Sequence, residues 1–165
     1  MVFDINKFVV IIFLLFSFLT CNSQNSLFKK YKDNPLFEIG SKVPDWRSKH
    51  VANATILRPE ETSDGTWRIY ARGNEYAGGR IGILIQDSAN FSPYGPWEDY
   101  HNNPVLGFGP SGSYDDQALL DCAPVIGENG TVYFYYKAKS TDGSRHVAGA
   151  KSTDGGYTFQ KFDTN

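Results

Sequence analysis

Two stretches of this sequence repeat each other in order, and that repetition restricts the fold more than any other feature. "NPLF" from Asn34 returns as "NPVL" from Asn103, and "ANATIL" from Ala52 returns as "DCAPVI" from Asp121, both 69 residues later. "DGTWRIY" from Asp64 returns as "NGTVYFY" from Asn129, 65 residues later. "RIGILIQDS" then corresponds to "RHVAGAKST". Each unit reads as an apolar strand, a turn around Gly65 or Gly130, an aromatic strand, a Gly-containing loop and a third strand. The glycines supply the positive φ that tight hairpins demand. The first unit adds a fourth strand in "PWEDYHNNPVL", and the second reaches "TFQKF". No helical periodicity of useful length accompanies them.

Four antiparallel strands at this spacing describe a β-propeller blade with long loops. The expected fold class is therefore all-β, a partial propeller with blade 1 at about 34–106 and blade 2 at about 107–165. Two blades cannot close a ring, and closure is what removes sheet edges. The expectation is the N-terminal part of a longer protein. The alternative is a small complete β-sandwich made by duplication.

The first 21 residues stand apart. "MVFDINK" precedes "FVVIIFLLFSFLT", thirteen uncharged residues, and then Cys21. The run is shorter than the ~20 residues of a membrane span and suits the apolar core of a secretory signal. "FLTCNSQNS" resembles a bacterial lipoprotein signal, with Cys21 as the lipidated residue. Phe18 stands where Leu is usual and Thr20 where Gly or Ala is usual. A cleaved signal and an uncleaved anchor are the alternatives. Residues 22–33 read as a polar tether.

A net charge of -2 gives no basis for a nucleic-acid partner. With two cysteines, no zinc-type spacing exists. Cys122, within the apolar "CAPVI", reads as a small buried residue. His101 and His146 have no partner at metal-ligand spacing. Glu60 and Glu61 precede a turn and read as surface charge.

"STDGGYTF", from Ser152 to Phe159, matches the Asp-box pattern S-x-D-x-G-x-T-W/F. Asp154 is expected to bond backbone amides across the turn, Gly156 to permit the tight path and Phe159 to pack the hairpin. The box marks a blade and carries no chemistry. "QDSANFSPYGPW" is a degraded version in the first unit.

Asp115, Asp116 and Asp121 sit just ahead of "CAPVI". In a propeller, acids at inner-strand entrances converge on the central funnel. Crowded carboxylates separate into acid and base, the pairing glycoside hydrolysis uses. Asp121 is the leading candidate, Asp116 follows, and Asp115 could reach sugar hydroxyls. The plain alternative is solvated loop charge. By the 69-residue offset, the first unit has Ala52 at the place of Asp121, with Asn53 beside it. Arg72, after the aromatic strand in "YARGNEY", is a further candidate to face the funnel and bind substrate.

"HVANATILRPEETSDGTWRIYARG" followed by "YDDQALLDCAPVIGENGTVYFYYKAKSTDG" resembles the first two blades of five-bladed propeller glycoside hydrolases, the arabinosidase/xylosidase-like and invertase-like group of families 43, 32 and 117. The resemblance spans roughly residues 34–162. It implies a first-blade Asp as base or nucleophile, a second-blade Asp that positions substrate or tunes pKa, and a third-blade Glu as general acid. Asp121 matches the second-blade acid. Asp45, in "VPDWRSKH", is the nearest candidate for the first, with Trp46 and His50 as sugar contacts. The third lies beyond Asn165. The implied protein is a secreted or lipid-anchored bacterial glycosidase that takes carbohydrate and needs no cofactor. Two rivals are a non-catalytic carbohydrate-binding surface lipoprotein and a sialidase-like Asp-box propeller. The latter would need an arginine cluster, drawn from Arg58, Arg68, Arg72 and Arg80.

Overall fold

The computed structural model describes residues 29–74 and 78–162. The expectations for residues 1–21, Cys21 included, lie outside the described residues. The chain divides into two compact units, Met1–Asn34 and Pro35–Asn165. In the first, the described residues hold one turn, in which Asn34 N donates to Tyr31 O. Among the described residues no helix is long and apolar enough to cross a membrane.

The second unit is all-β, with two four-stranded antiparallel sheets and no α-helix among the described residues. Sheet 1 takes β1 (Val51–Leu57), β2 (Thr66–Gly73), β3 (Arg80–Asp87) and β4 (Glu98–Asp99) in that order. Sheet 2 repeats the order with β5 (Ala118–Ile126), β6 (Val132–Lys139), β7 (Arg145–Ser152) and β8 (Gln160–Lys161). Two separate sheets are what the repeat predicts. The first strand of each is longer than the apolar core suggests, because both continue through a β-bulge.

The period-2 pattern decides what each face meets. On β6, Val132, Phe134, Tyr136 and Ala138 point one way and are buried, while Tyr133 and Tyr135 point the other way and are exposed. The buried row meets Leu57, Tyr70, Ile81 and Ile83 of sheet 1 in the main core. Tyr70 and Phe134 lie 5.3 Å apart, with Phe159 against both, as the hairpin expectation required. Such ring pairs add to the area they bury.

The other face of sheet 1 has its own core of Ile69, Ala71, Leu84 and Trp46. Trp46 arrives on a 3-10 turn, Asp45–Arg47. Gly82 makes room for it: a Cβ there would come within 2.7 Å of the indole. Asp99 of β4 holds the turn down, accepting from Trp46 Nε1 at 2.9 Å and pairing with Arg47 Nη2 at 2.6 Å.

The fourth strand of sheet 1 is mostly irregular. After Asp99, Asn103 takes over as a side-chain strand, its amide accepting from Ile83 N and donating to Ile83 O at 2.7 Å each. Leu106 then bridges to Ile81. A backbone edge is satisfied here by a side chain that imitates a peptide.

The Asp box folds as its residues dictate. Asp154 Oδ1 accepts from Tyr157 N and Thr158 N at 3.0 and 2.9 Å, and Gly156 N donates to Ser152 Oγ. "KSTDG" also occurs twelve residues earlier, at 139–143. There Ser140 Oγ donates to Asp142 as Ser152 Oγ does to Asp154, so both ends of β7 carry the same turn device.

Candidate functional site

The two bulges lie side by side where β1 meets β5. Asn53 has φ 51° and Asp121 has φ 45°, the left-handed region that non-glycine residues seldom occupy. Each sits where strand register slips, between Ala52 and Thr55 on β1 and between Leu120 and Cys122 on β5. Asn and Asp tolerate this conformation best among residues with a side chain. The twist releases both side chains from the sheet's alternation. Both are exposed, and Asn53 Nδ2 donates to Asp121 Oδ1.

Beneath the pair the strands are cross-tied. Cys122 Sγ donates to Asn53 O at 2.9 Å, and Thr55 Oγ1 donates to Cys122 O at 2.6 Å. Cys122 is buried, as expected, and burial pushes its thiol up to about 11, so it stays protonated and keeps its donor. Three hydrogen bonds thus fix the spacing of the two bulges.

This arrangement corrects the sequence alignment. The conformational counterpart of Asp121 is Asn53, 68 residues earlier, and not Ala52. Ala52 is an ordinary paired strand residue opposite Arg72. Asp121 is also not at a strand entrance. It is the fourth residue of β5, placed at the surface by the bulge.

The other sequence candidates separate. Asp115 is 1% exposed. It accepts from Tyr136 Oη at 2.9 Å and pairs with Lys161 Nζ at 2.5 Å. It is a buried anchor for the loop ahead of β5, out of reach of a sugar hydroxyl. Asp116 accepts from Gly112 N and Thr141 N at 2.7 Å each, and from Thr141 Oγ1 at 3.0 Å. The Gly112 amide, then Thr141, holds its carboxyl below the usual range. Both of its oxygens accept, so Asp116 clamps the loop ahead of β5 to the turn after β6.

Trp46 is 3% exposed and bound to Asp99, so it is core and offers sugar no face. Asp45 is exposed on the same turn, and its carbonyl accepts from Asn74 Nδ2. His50 is half-buried just before β1, its carbonyl accepting from Asn74 N at 2.9 Å. Arg72 is buried on β2, with its charge in reach of Cys122. Among the described residues no cluster of three or more His, Cys, Asp or Glu could hold a metal ion.

Sequence reasoning missed the seam between the sheets. Arg68 is fully buried. Its Nη2 lies 2.7 Å from Asp64 Oδ1, its Nη1 donates to Gly155 O, and its guanidinium sits 4.0 Å above the Tyr157 ring. Tyr157 Oη donates to Asp64, and Tyr70 Oη donates to Gly156 O at 2.9 Å. The Asp-box turn of sheet 2 is thereby riveted to the first hairpin of sheet 1. An arginine at an inward strand position was the available signal.

No protein-family model matches the sequence, and no curated protein matches it. Among solved structures the chain is similar to Zg3597, a family 117 glycoside hydrolase produced by the marine bacterium Zobellia galactanivorans. The TM-score is 0.57 and the identity 25%, over 74% of this chain and 34% of that one. It is also similar to a structure described as an endo-1,4-beta-xylanase from Bacteroides thetaiotaomicron, with TM-score 0.49 and 20% identity over 72% of this chain and 39% of that one. The chain therefore spans about a third of the length of the family 117 structure. The family 117 neighbour is a glycoside hydrolase.

Proposed function

We propose that this chain forms the first two blades of a propeller glycoside hydrolase, with the Asn53–Asp121 pair on the floor of its carbohydrate site. One observation carries the reading: two non-glycine residues hold a left-handed backbone on adjacent strands and join through their exposed side chains. Left-handed geometry costs an L-residue roughly 1–2 kcal/mol, and such outliers cluster at functional sites. The likeness to a family 117 glycoside hydrolase supports the same class.

In this reading Asn53 orients the Asp121 carboxylate by donating to Oδ1. Oδ2 accepts no hydrogen bond among the described residues and is available to a sugar hydroxyl. Glycoside hydrolysis needs a proton donor to the leaving oxygen and a second carboxylate to attack or to activate water. Asp121 would position substrate and shape the field at those groups. Asp45, exposed on the turn ahead of β1, is the first-unit candidate for the base role. The proton donor would come from a third blade.

The test is hydrolysis of aryl glycosides and of plant and algal oligosaccharides. The 165-residue chain alone should be inactive, and Asp121→Asn should abolish most turnover of the enzyme that contains it. Normal turnover in that variant would remove Asp121 from the chemistry.

Asn53 itself favours a second reading, a non-catalytic carbohydrate-binding surface lipoprotein, because an amide stands at the first-unit position where the enzymes would have an acid. Isothermal titration with the same oligosaccharides separates the two. Binding without turnover in the protein containing both blades selects the second. The sialidase reading loses support from the arginines. Arg58 is paired with Glu60 and Glu61, Arg68 is sealed in the seam, and Arg80 lies over Phe108.

A further inference from the structure

The turn device at the two ends of β7 closes at one end and stays open at the other. In the Asp box, Asp154 is saturated. Its Oδ1 accepts from Ser152 Oγ, Tyr157 N and Thr158 N, and its Oδ2 accepts from Thr158 Oγ1 at 2.6 Å. Twelve residues earlier, Ser140 and Asp142 repeat Ser152 and Asp154, but His146 stands at the place of Thr158. Asp142 takes its hydrogen bonds on Oδ1, from Ser140 Oγ at 2.5 Å and Ser144 N at 2.8 Å, and no threonine hydroxyl closes on Oδ2. Ser140, then the amide and hydroxyl of Ser144, hold its carboxyl below the usual range, so it is a charged acceptor at neutral pH.

The open turn borders a cavity of about 340 Å³, a volume within the ~300–1,000 Å³ of small-molecule sites. Its walls include Ser113, Tyr114, Asp116, Thr141, Asp142 and His146. Asp116 joins the two walls, accepting from Gly112 N on one side and Thr141 N on the other. The lining selects a class of ligand. Asp116 and Asp142 are both carboxylates, which repel phosphate and other anions. Among the described residues no cluster of three or more His, Cys, Asp or Glu could hold a metal ion. What the walls offer is hydroxyls, a carboxylate, an imidazole and the Tyr114 ring. These are donors and acceptors for the hydroxyls of a sugar, with an aromatic surface for its C–H side.

We propose that this cavity is a second saccharide site, separate from the Asn53–Asp121 pair, in which Asp142 accepts from the hydroxyls of a neutral sugar residue and the His146 imidazole contacts the same residue. The choice of a sugar rests on the hydrolase reading above as well as on this lining. Exchanging a threonine that completes the turn for a histidine that leaves it open costs the turn one hydrogen bond, which a ligand hydroxyl returns. The site is non-catalytic. It would retain a long carbohydrate chain while a linkage elsewhere along that chain is cleaved, and so favour oligosaccharides over single-sugar aryl glycosides.

Saturation-transfer NMR on the 165-residue chain, with cellotetraose, xylotetraose and laminaritetraose as the ligands, tests this. At least one tetrasaccharide should bind. His146→Thr supplies the hydroxyl that completes the Asp box. Asp142→Asn keeps an acceptor for Ser140 and Ser144 and removes the charge. Each should weaken binding by about tenfold or more, the scale of a hydrogen bond to a charged group. Both side chains are exposed, so neither change reaches the core, and an unchanged urea midpoint verifies the fold. Asp121→Asn should bind as the wild type does. No binding of any of the three ligands overturns the proposal, as does full-strength binding in either turn variant. Binding lost in Asp121→Asn and kept in His146→Thr would place the sugar at the two bulges, which ends this proposal and spares the hydrolase reading. The readout needs no turnover, so loss of the hydrolase reading would leave a positive result standing.

Discussion

Replacing Arg68 by Met tests the seam between the two sheets. The substitution keeps most of the buried stem and removes the guanidinium. Asp64 then loses its ion pair, Gly155 O loses its donor, and the Tyr157 ring loses its cation. Removing one partner of a buried pair costs about 3–5 kcal/mol, because the other polar groups are left uncompensated. Asp64 is partly exposed and water can reach it, so the lower end, about 3 kcal/mol, is expected. Against a domain stability of about 5–15 kcal/mol this is a large loss. With a urea slope of about 1–3 kcal/mol/M the midpoint should fall by about 1.5 M. Urea titration followed by tryptophan fluorescence measures it, with Arg58→Met, a surface pair, as the unchanged control. The pH dependence gives a second reading. Burial alone would raise the Asp64 carboxyl, but donors from Tyr157, Arg68 and Thr66 outweigh it and hold the group well below 3.8. A depressed carboxylate stabilises above its unfolded value and loses that contribution as pH falls. The gap between wild type and variant should therefore be full at pH 7 and narrow below about pH 3.8. A midpoint shift under about 0.3 M at pH 7, or a gap that widens in acid, would refute the reasoning.

Three further outcomes are expected. Asp154→Asn should destabilise by about 1 kcal/mol, discounted for exposure. Burial raises its carboxyl, yet Ser152 and Thr158 hold it down at about 2, so the loss should be present at neutral pH and fade between about pH 4 and 2 in acid unfolding curves. Trp46→Ala should cost about 3–5 kcal/mol in thermal unfolding, as a core truncation does, whereas a surface sugar platform would change binding and leave stability intact. Cys21→Ser should abolish incorporation of labelled lipid in membrane fractions, and equal labelling would remove the lipoprotein proposal.

The sequence by itself determined the elements and their pairing. Alternation in "VYFYYKAK" and the "DGT" and "NGT" turns are local signals, read within one hairpin, and they specified two antiparallel sheets of the same order. The Asp box was equally legible, since Ser152, Asp154 and Thr158 satisfy one another within seven residues. The roles of the acids were decided elsewhere. Asp115 and Asp116 are neighbours in sequence, yet one is buried on Tyr136 and Lys161 and the other clamps Thr141 at the surface. Their partners lie about 20 to 46 residues away, and only packing brings them near. Trp46 looked like a sugar platform and is core, because Gly82 and Asp99 make a slot that no pattern around Trp46 announces. The bulges were invisible for the same reason. Both first strands carry a one-residue bulge, so the insertion leaves no gap in the repeat, and only the shared left-handed backbone pairs Asn53 with Asp121. Local chemistry fixes which residues form strands; the meeting of two sheets fixes which side chains are left facing water.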